Sequence, residues 1–230
     1  SKNSIYLLVY AFHMPIFWII SGMLLSGKDY NNVSMLETIK KKAKSIMYPY
    51  VIFSLIIVAY NYIGLNLNLV SKSQFKLVVK NSVYFRGMNC LWFLPVLFVA
   101  EIVFIYLIKH RQNIVLWGIS FAVIATLIAV FLSKTDLFKE NPMKMYKKYC
   151  LILPKVCFAL SFISLGYTIK EYFKIIKKYW LLFALVGVSV SYYIIKVYHK
   201  KTDINYCVIH SPKVFWVCAI MISISVLIIC

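Results

Sequence analysis

Residues 114–132 read IVLWGISFAVIATLIAVFL, a run of 19 positions without one charged side chain. A helix needs roughly 20 mostly apolar residues to cross the hydrocarbon core of a bilayer. Helix is the expected state, because lipid offers the backbone no hydrogen-bond partner and a barrel strand would alternate polar with apolar residues. Outward from this run, six more have the same character: about Ile5–Leu25, Ile46–Asn66, Leu91–Ile108, Tyr149–Ile169, Tyr179–Tyr198 and one beginning near Val214. The expected fold is all-α, a polytopic transmembrane helical bundle of about seven spans, with residues 1–230 forming a single domain.

Composition agrees. The chain of 230 residues is 62% hydrophobic and 14% charged, with mean hydropathy +0.80. Soluble domains carry about 25% charged residues, so a disordered chain, a secreted disulfide scaffold and an ordinary soluble enzyme are excluded. The net charge of +19 comes from 24 lysines and 2 arginines against 7 acidic residues, and the basic residues lie almost entirely between the apolar runs. Charges so placed flank membrane helices and meet lipid head groups, so membrane lipids are the expected partners. A nucleic-acid footprint would gather them on one face, and no nucleic acid is expected.

Loops on the two sides carry nearly equal numbers of Lys and Arg, so charge bias does not orient the chain. The densest cluster, Lys40, Lys41, Lys42 and Lys44, favours a cytoplasmic loop before the second run. The six cysteines form no C-x-x-C and read as small hydrophobes, and no metal site is expected. An apolar run starts within a few residues of Ser1 and another holds Cys230, as expected of a piece of a longer membrane protein. No internal repeat of the transporter kind is visible. Gly118-x-x-x-Ala122 and Gly187-x-x-x-Ser191 offer small faces for helix packing.

Few polar residues lie inside the runs, and each has two readings. His13, within Phe12-His13-Met14-Pro15, is ionisable at a depth where charge is costly. It reads as a general base, or as a neutral histidine bonded to a neighbouring helix. Pro15 frees the carbonyl of Ala11 and kinks the helix beside it. His13, Phe17 and Ser21 fall on roughly one face, and Gly22 permits close approach of a helix or a ligand. Glu101 is the one acid well inside a run, with Lys155 as the partner to suspect, as a structural pair or as part of a substrate path.

Arg86 suits planar recognition of phosphate or carboxylate, or is a solvated interfacial charge. Trp92 and Phe93 suit stacking on a ring, or anchor the interface. His110, His199 and His210 read as interfacial. The Walker loop, G-x-S-x-G, H-E-x-x-H and G-x-G-x-x-G are missing from the sequence.

Three segments in order resemble the membrane acyltransferase-3 family, especially its sugar O-acetylase branch. They are Ala11-Phe12-His13-Met14-Pro15-Ile16-Phe17-Trp18-Ile19-Ile20-Ser21-Gly22, the basic stretch Lys40–Lys44 leading to Tyr48-Pro49-Tyr50, and Leu91-Trp92-Phe93-Leu94-Pro95. The resemblance implies a larger helical bundle that moves an acyl group, usually acetyl, from acyl-CoA to a sugar hydroxyl of a surface polysaccharide or its lipid-linked precursor. It implies that the loop after the first run is cytoplasmic and that the membrane is the bacterial inner membrane. The family's first helix carries a basic residue and then a His regarded as catalytic, and that helix would precede Ser1. The family's last helices would follow Cys230. In this reading His13 is catalytic, Arg86, Trp92 and Glu101 bind substrate, acyl-CoA is the donor and no metal takes part. The alternative class is a transporter or flippase of lipid-linked sugars, with Glu101 and Lys155 lining its path.

Overall fold

The computed structural model describes residues 2–30, 32–86, 91–134, 152–196, 204, 207, 209 and 211–229. Their ordered elements are α1 (Lys2–Ser26), α2 (Met35–Lys42), a π-helical turn (Ala43–Met47), α3 (Tyr48–Asn66), α4 (Lys72–Val83), α5 (Phe93–Lys109), α6 (Ile114–Lys134), α7 (Ile152–Lys178), α8 (Trp180–Lys196) and α9 (Pro212–Ile229). No strand occurs among the described residues. A helix stands at each of the seven expected runs, so the all-helical polytopic bundle holds.

By length and composition, four stretches are sufficient to cross a membrane: Met35–Asn66, Ile114–Leu132, Ile152–Lys178 and Pro212–Ile229. Phe12–Ser26 of α1 and Trp180–Tyr193 of α8 are shorter apolar stretches. The side chains of α3 show what solvent this fold expects. Val51, Phe53, Leu55, Ile56, Tyr60 and Ile63 are all exposed, while Tyr50, Ser54 and Gly64 are buried. A helix that turns its apolar side chains outward is stable only in lipid.

Two short helices fill loops that hydrophobic runs leave blank. The Ser34 side chain caps α2 by accepting the Glu37 N–H at 3.1 Å. Ser71 and Gln74 form a reciprocal capping box at the start of α4. Three helices end in the same closed turn. Asn68, Phe85 and Arg111 take φ of 58°, 54° and 50° just past α3, α4 and α5. The next N–H then reaches back into the last helical turn, as Arg86 does to the Asn81 carbonyl at 2.9 Å. This is the Schellman arrangement, which usually takes glycine at the left-handed position.

The helices fall into two compact units, residues 1–30 with 107–230, and residues 31–106. In the first, α1 and α7 meet at two glycines. A β-carbon on Gly22 would clash with the Ile163 carbonyl oxygen, and one on Gly166 with the Ile19 carbonyl oxygen. A β-carbon on Gly118 of α6 would likewise clash with the Ser164 hydroxyl, and one on Gly187 of α8 with that of Ser225. Lipid tails are as apolar as leucine, so such close backbone packing and interhelical hydrogen bonds replace the hydrophobic drive. Ser225 Oγ donates to the Phe183 carbonyl at 2.7 Å, and Trp216 Nε1 to Thr126 Oγ1 at 2.9 Å. Phe158, Phe162, Phe215 and Trp216 cluster through edge-on and tilted ring contacts, and Trp18 lies against Phe162 with centroids 6.0 Å apart.

In the second unit, Tyr50 joins α3 to the end of α4. Its hydroxyl donates to the Ser82 carbonyl at 2.9 Å, and its ring lies 5.6 Å from that of Phe85.

Candidate functional site

His13 sits half-buried on α1, one turn above fully buried Trp18. Its Nδ1 lies 2.7 Å from the Val9 carbonyl. A carbonyl only accepts, so in the neutral ring Nδ1 carries the proton and Nε2 carries the lone pair. Backbone bonding at one nitrogen thus selects the tautomer and orients the ring. The sequence explains the local geometry. The bond spans one helical turn, and Pro15 interrupts the next rung of the ladder.

Phe12 packs against the Cys218–Ile222 cluster of α9, which anchors the histidine's own turn. Gly22 serves helix packing. The row His13, Phe17, Ser21 does not share one environment, since Phe17 is 55% exposed and Ser21 is buried.

The other three candidates belong to the second unit. Glu101, on α5, is buried and its Oε2 lies 2.5 Å from Lys42 Nζ. Both ends are shielded, with side-chain exposures of 7% and 16%. Lys42 ends α2 just before the π-helical turn, where the Tyr48 N–H reaches the Ala43 carbonyl five residues back. The sequence reading missed Lys42 as an ion-pair partner, having grouped it with the neighbouring surface lysines. No local signal separates it from Lys40 or Lys41, because its partner lies three helices further along the chain. Lys41 is solvated, paired with Glu37 one turn earlier at 2.9 Å with both ends more than half exposed. Lys155, suspected as the partner of Glu101, belongs to the first unit and is buried in α7 rather than reaching solvent.

Arg86 is half-buried at the closed turn after α4, its guanidinium 5.5 Å from the centre of the Tyr84 ring. Tyr50 holds that turn, because the Ser82 carbonyl that accepts its hydroxyl also accepts the Phe85 N–H at 3.3 Å. Trp92 is only 5% exposed and meets Phe93 edge-on with centroids 6.4 Å apart. An indole so enclosed acts as a packing anchor for the start of α5, whereas ring stacking on a ligand needs an open face.

His110 is exposed after α5, and His199 and His210 lie outside the described residues. Cys157 and Cys218 are free and buried, and Cys207 is buried. Cys90, Cys150 and Cys230 lie outside the described residues. Among the described residues, no group of three or more His, Cys, Asp or Glu side chains is arranged to hold a metal ion.

A family model described as an acyltransferase domain matches residues 1–230, the whole chain. No curated protein and no solved structure matches the chain.

Proposed function

The chain belongs to the membrane acyltransferase-3 family, and from that premise we propose that it carries an acetyl group from acetyl-CoA to a sugar hydroxyl. The acceptor in this reading is a cell-surface polysaccharide or its lipid-linked precursor, and the membrane is the bacterial cytoplasmic membrane. Acyl transfer itself follows from the family. Membership does not favour the transporter alternative.

The observation that carries the mechanism is the bond from His13 Nδ1 to the Val9 carbonyl. It leaves Nε2 as the basic nitrogen of the neutral ring. In the proposed step, Nε2 takes the proton of the sugar hydroxyl as its oxygen attacks the thioester carbonyl. The tetrahedral oxyanion then collapses, the C–S bond breaks, and the coenzyme A thiolate leaves and takes up the proton. General base catalysis of this kind contributes about 10²–10⁴-fold in rate. Arg86 suits recognition of the acceptor, because a guanidinium braced over an aromatic ring presents a fixed planar fork. Glu101 and Lys42 act as a positioning pair. Trp92 supports the start of α5 by packing.

The test is acetyl transfer to cell-envelope glycan by the full-length protein and by His13→Ala at matched membrane levels. The expected result is loss of transfer with unchanged expression. Transfer at the unaltered rate by His13→Ala removes His13 from the mechanism.

A further inference from the structure

The first unit carries two apolar grooves, one on each side of a single helix. A groove of about 590 Å³ lies between α6, α7 and α9. A second, of about 410 Å³, lies between α8 and α9. The helix they share is α9: Trp216 and Ile220 line the larger groove, and Val214, Val217 and Cys218 the smaller. At about 100° per residue these positions fall on opposite flanks of a ridge through Lys213 and Val217. Lys213 lines both grooves, is exposed, and stands in the first turn of α9.

The walls suit hydrocarbon. The hydroxyls in the larger groove are turned back to their own helices. Thr126 donates to the Ala122 carbonyl at 2.7 Å, Ser161 to the Cys157 carbonyl at 2.8 Å and Thr168 to the Ser164 carbonyl at 3.0 Å. Their hydrogen-bonding capacity is thus spent inside the helices, and the groove presents methyl and methylene groups. Both volumes fall in the range that encloses a small molecule.

We propose that an anionic diacyl phospholipid straddles α9, its phosphate at the Lys213 ammonium and one acyl chain in each groove. One positive charge shared by two apolar grooves matches one negative head group bearing two chains. A single-chain lipid would fill one groove and leave the other open.

The test uses the purified chain in detergent and reads bound lipid by native mass spectrometry. The probes are phosphatidylglycerol, phosphatidylcholine, lysophosphatidylglycerol and a single-chain polyprenyl phosphate. Phosphatidylglycerol is expected to bind most tightly. Lys213→Ala should weaken it about fivefold, the effect expected for one lysine near an anionic surface. Ala122→Trp fills the larger groove and Ser189→Trp the smaller, and each should weaken the diacyl lipid more than its lyso form. Because Lys213 is exposed, its alanine variant should keep its melting temperature in lipid-free detergent, which separates lost binding from lost folding.

Equal binding of phosphatidylcholine, or full phosphatidylglycerol binding by Lys213→Ala, overturns the charge assignment. Lysophosphatidylglycerol binding as tightly as the diacyl lipid overturns the straddle. Displacement of phosphatidylglycerol by an equal amount of polyprenyl phosphate assigns the groove to a single-chain lipid instead.

Discussion

The carbonyl oxygen of Ile163 occupies the space that a β-carbon on Gly22 would need. Three residues back along α1 and three residues forward along α7 the relation is reversed, with the Ile19 carbonyl facing Gly166. Both obstructing atoms are backbone, so neither yields by a side-chain rotation.

Gly22→Ala and Gly166→Ala should therefore each destabilise the first unit, by about 1–3 kcal/mol for overpacking. The two lie at one crossing, so their effects should couple rather than add. Gly27→Ala is the control, since nothing lies within 4 Å of a β-carbon there. Thermal unfolding in detergent measures all three. A Gly22→Ala protein as stable as Gly27→Ala would show that the helices separate without cost.

The Lys42–Glu101 pair is shielded at both ends. Removing one partner leaves a buried charge, which typically costs about 3–5 kcal/mol. Lys42→Met should thus lower stability more than the double variant Lys42→Met/Glu101→Leu does. A double-mutant cycle on melting temperature checks this. Strictly additive losses would mean the two charges do not depend on one another.

Tyr50→Phe deletes one hydroxyl and keeps the ring against Phe85. The expected stability loss is about 1 kcal/mol, the size of one hydrogen bond. The sharper effect should be on Arg86, whose turn loses its brace. If Arg86 recognises the acceptor, KM for the acceptor rises while KM for the acyl donor stays put. Matched changes in both KM values would make Tyr50 a purely structural residue.

Phe85 occupies a left-handed position without being glycine. Phe85→Val puts a β-branched residue there and should destabilise by about 1–3 kcal/mol. Phe85→Gly relieves the backbone but loses the contact with Tyr50, so it should fall between wild type and valine. Unfolding midpoints of the three proteins give the order, and a valine variant more stable than glycine would contradict it.

His13→Asn separates posture from chemistry. An asparagine amide can still donate to the Val9 carbonyl, but it cannot take a proton. The fold should be kept and acyl transfer should fall about 10²–10⁴-fold, the contribution of a general base. Substantial residual transfer by His13→Asn would make the histidine a hydrogen-bonding spacer.

Spans were legible because a bilayer imposes a length that any sequence must meet in one unbroken run. Ile114–Leu132 announces itself without knowledge of its neighbours, and a helix stands at each of the other six runs, although only four stretches among the described residues are long and apolar enough to cross a membrane. The short helices α2 and α4 were written in a quieter local code, Ser34-x-x-Glu37 and Ser71-x-x-Gln74, which apolar runs do not reveal. His13 was legible as an ionisable residue at depth, and even its bond to Val9 follows from helical spacing. Which lysine meets Glu101, and which carbonyl meets Gly22, depend on helices distant in the chain. One-dimensional spacing carries no information about those meetings.

The π-helical turn at Ala43–Met47 sets a phase. It holds one residue more than an α-helical turn would, within a rod that runs unbroken from Met35 to Asn66. The wider pitch absorbs that residue, so Lys42 points to Glu101 while Tyr50, further along the same rod, points to Ser82. Kept at α-helical pitch, the same residues would turn everything beyond them by about 100° relative to Lys42, whereas deleting one of 43–47 and restoring that pitch would leave the direction beyond unchanged. The turn thus separates length from bearing: the chain gains a position here, and the faces on either side keep their mutual direction.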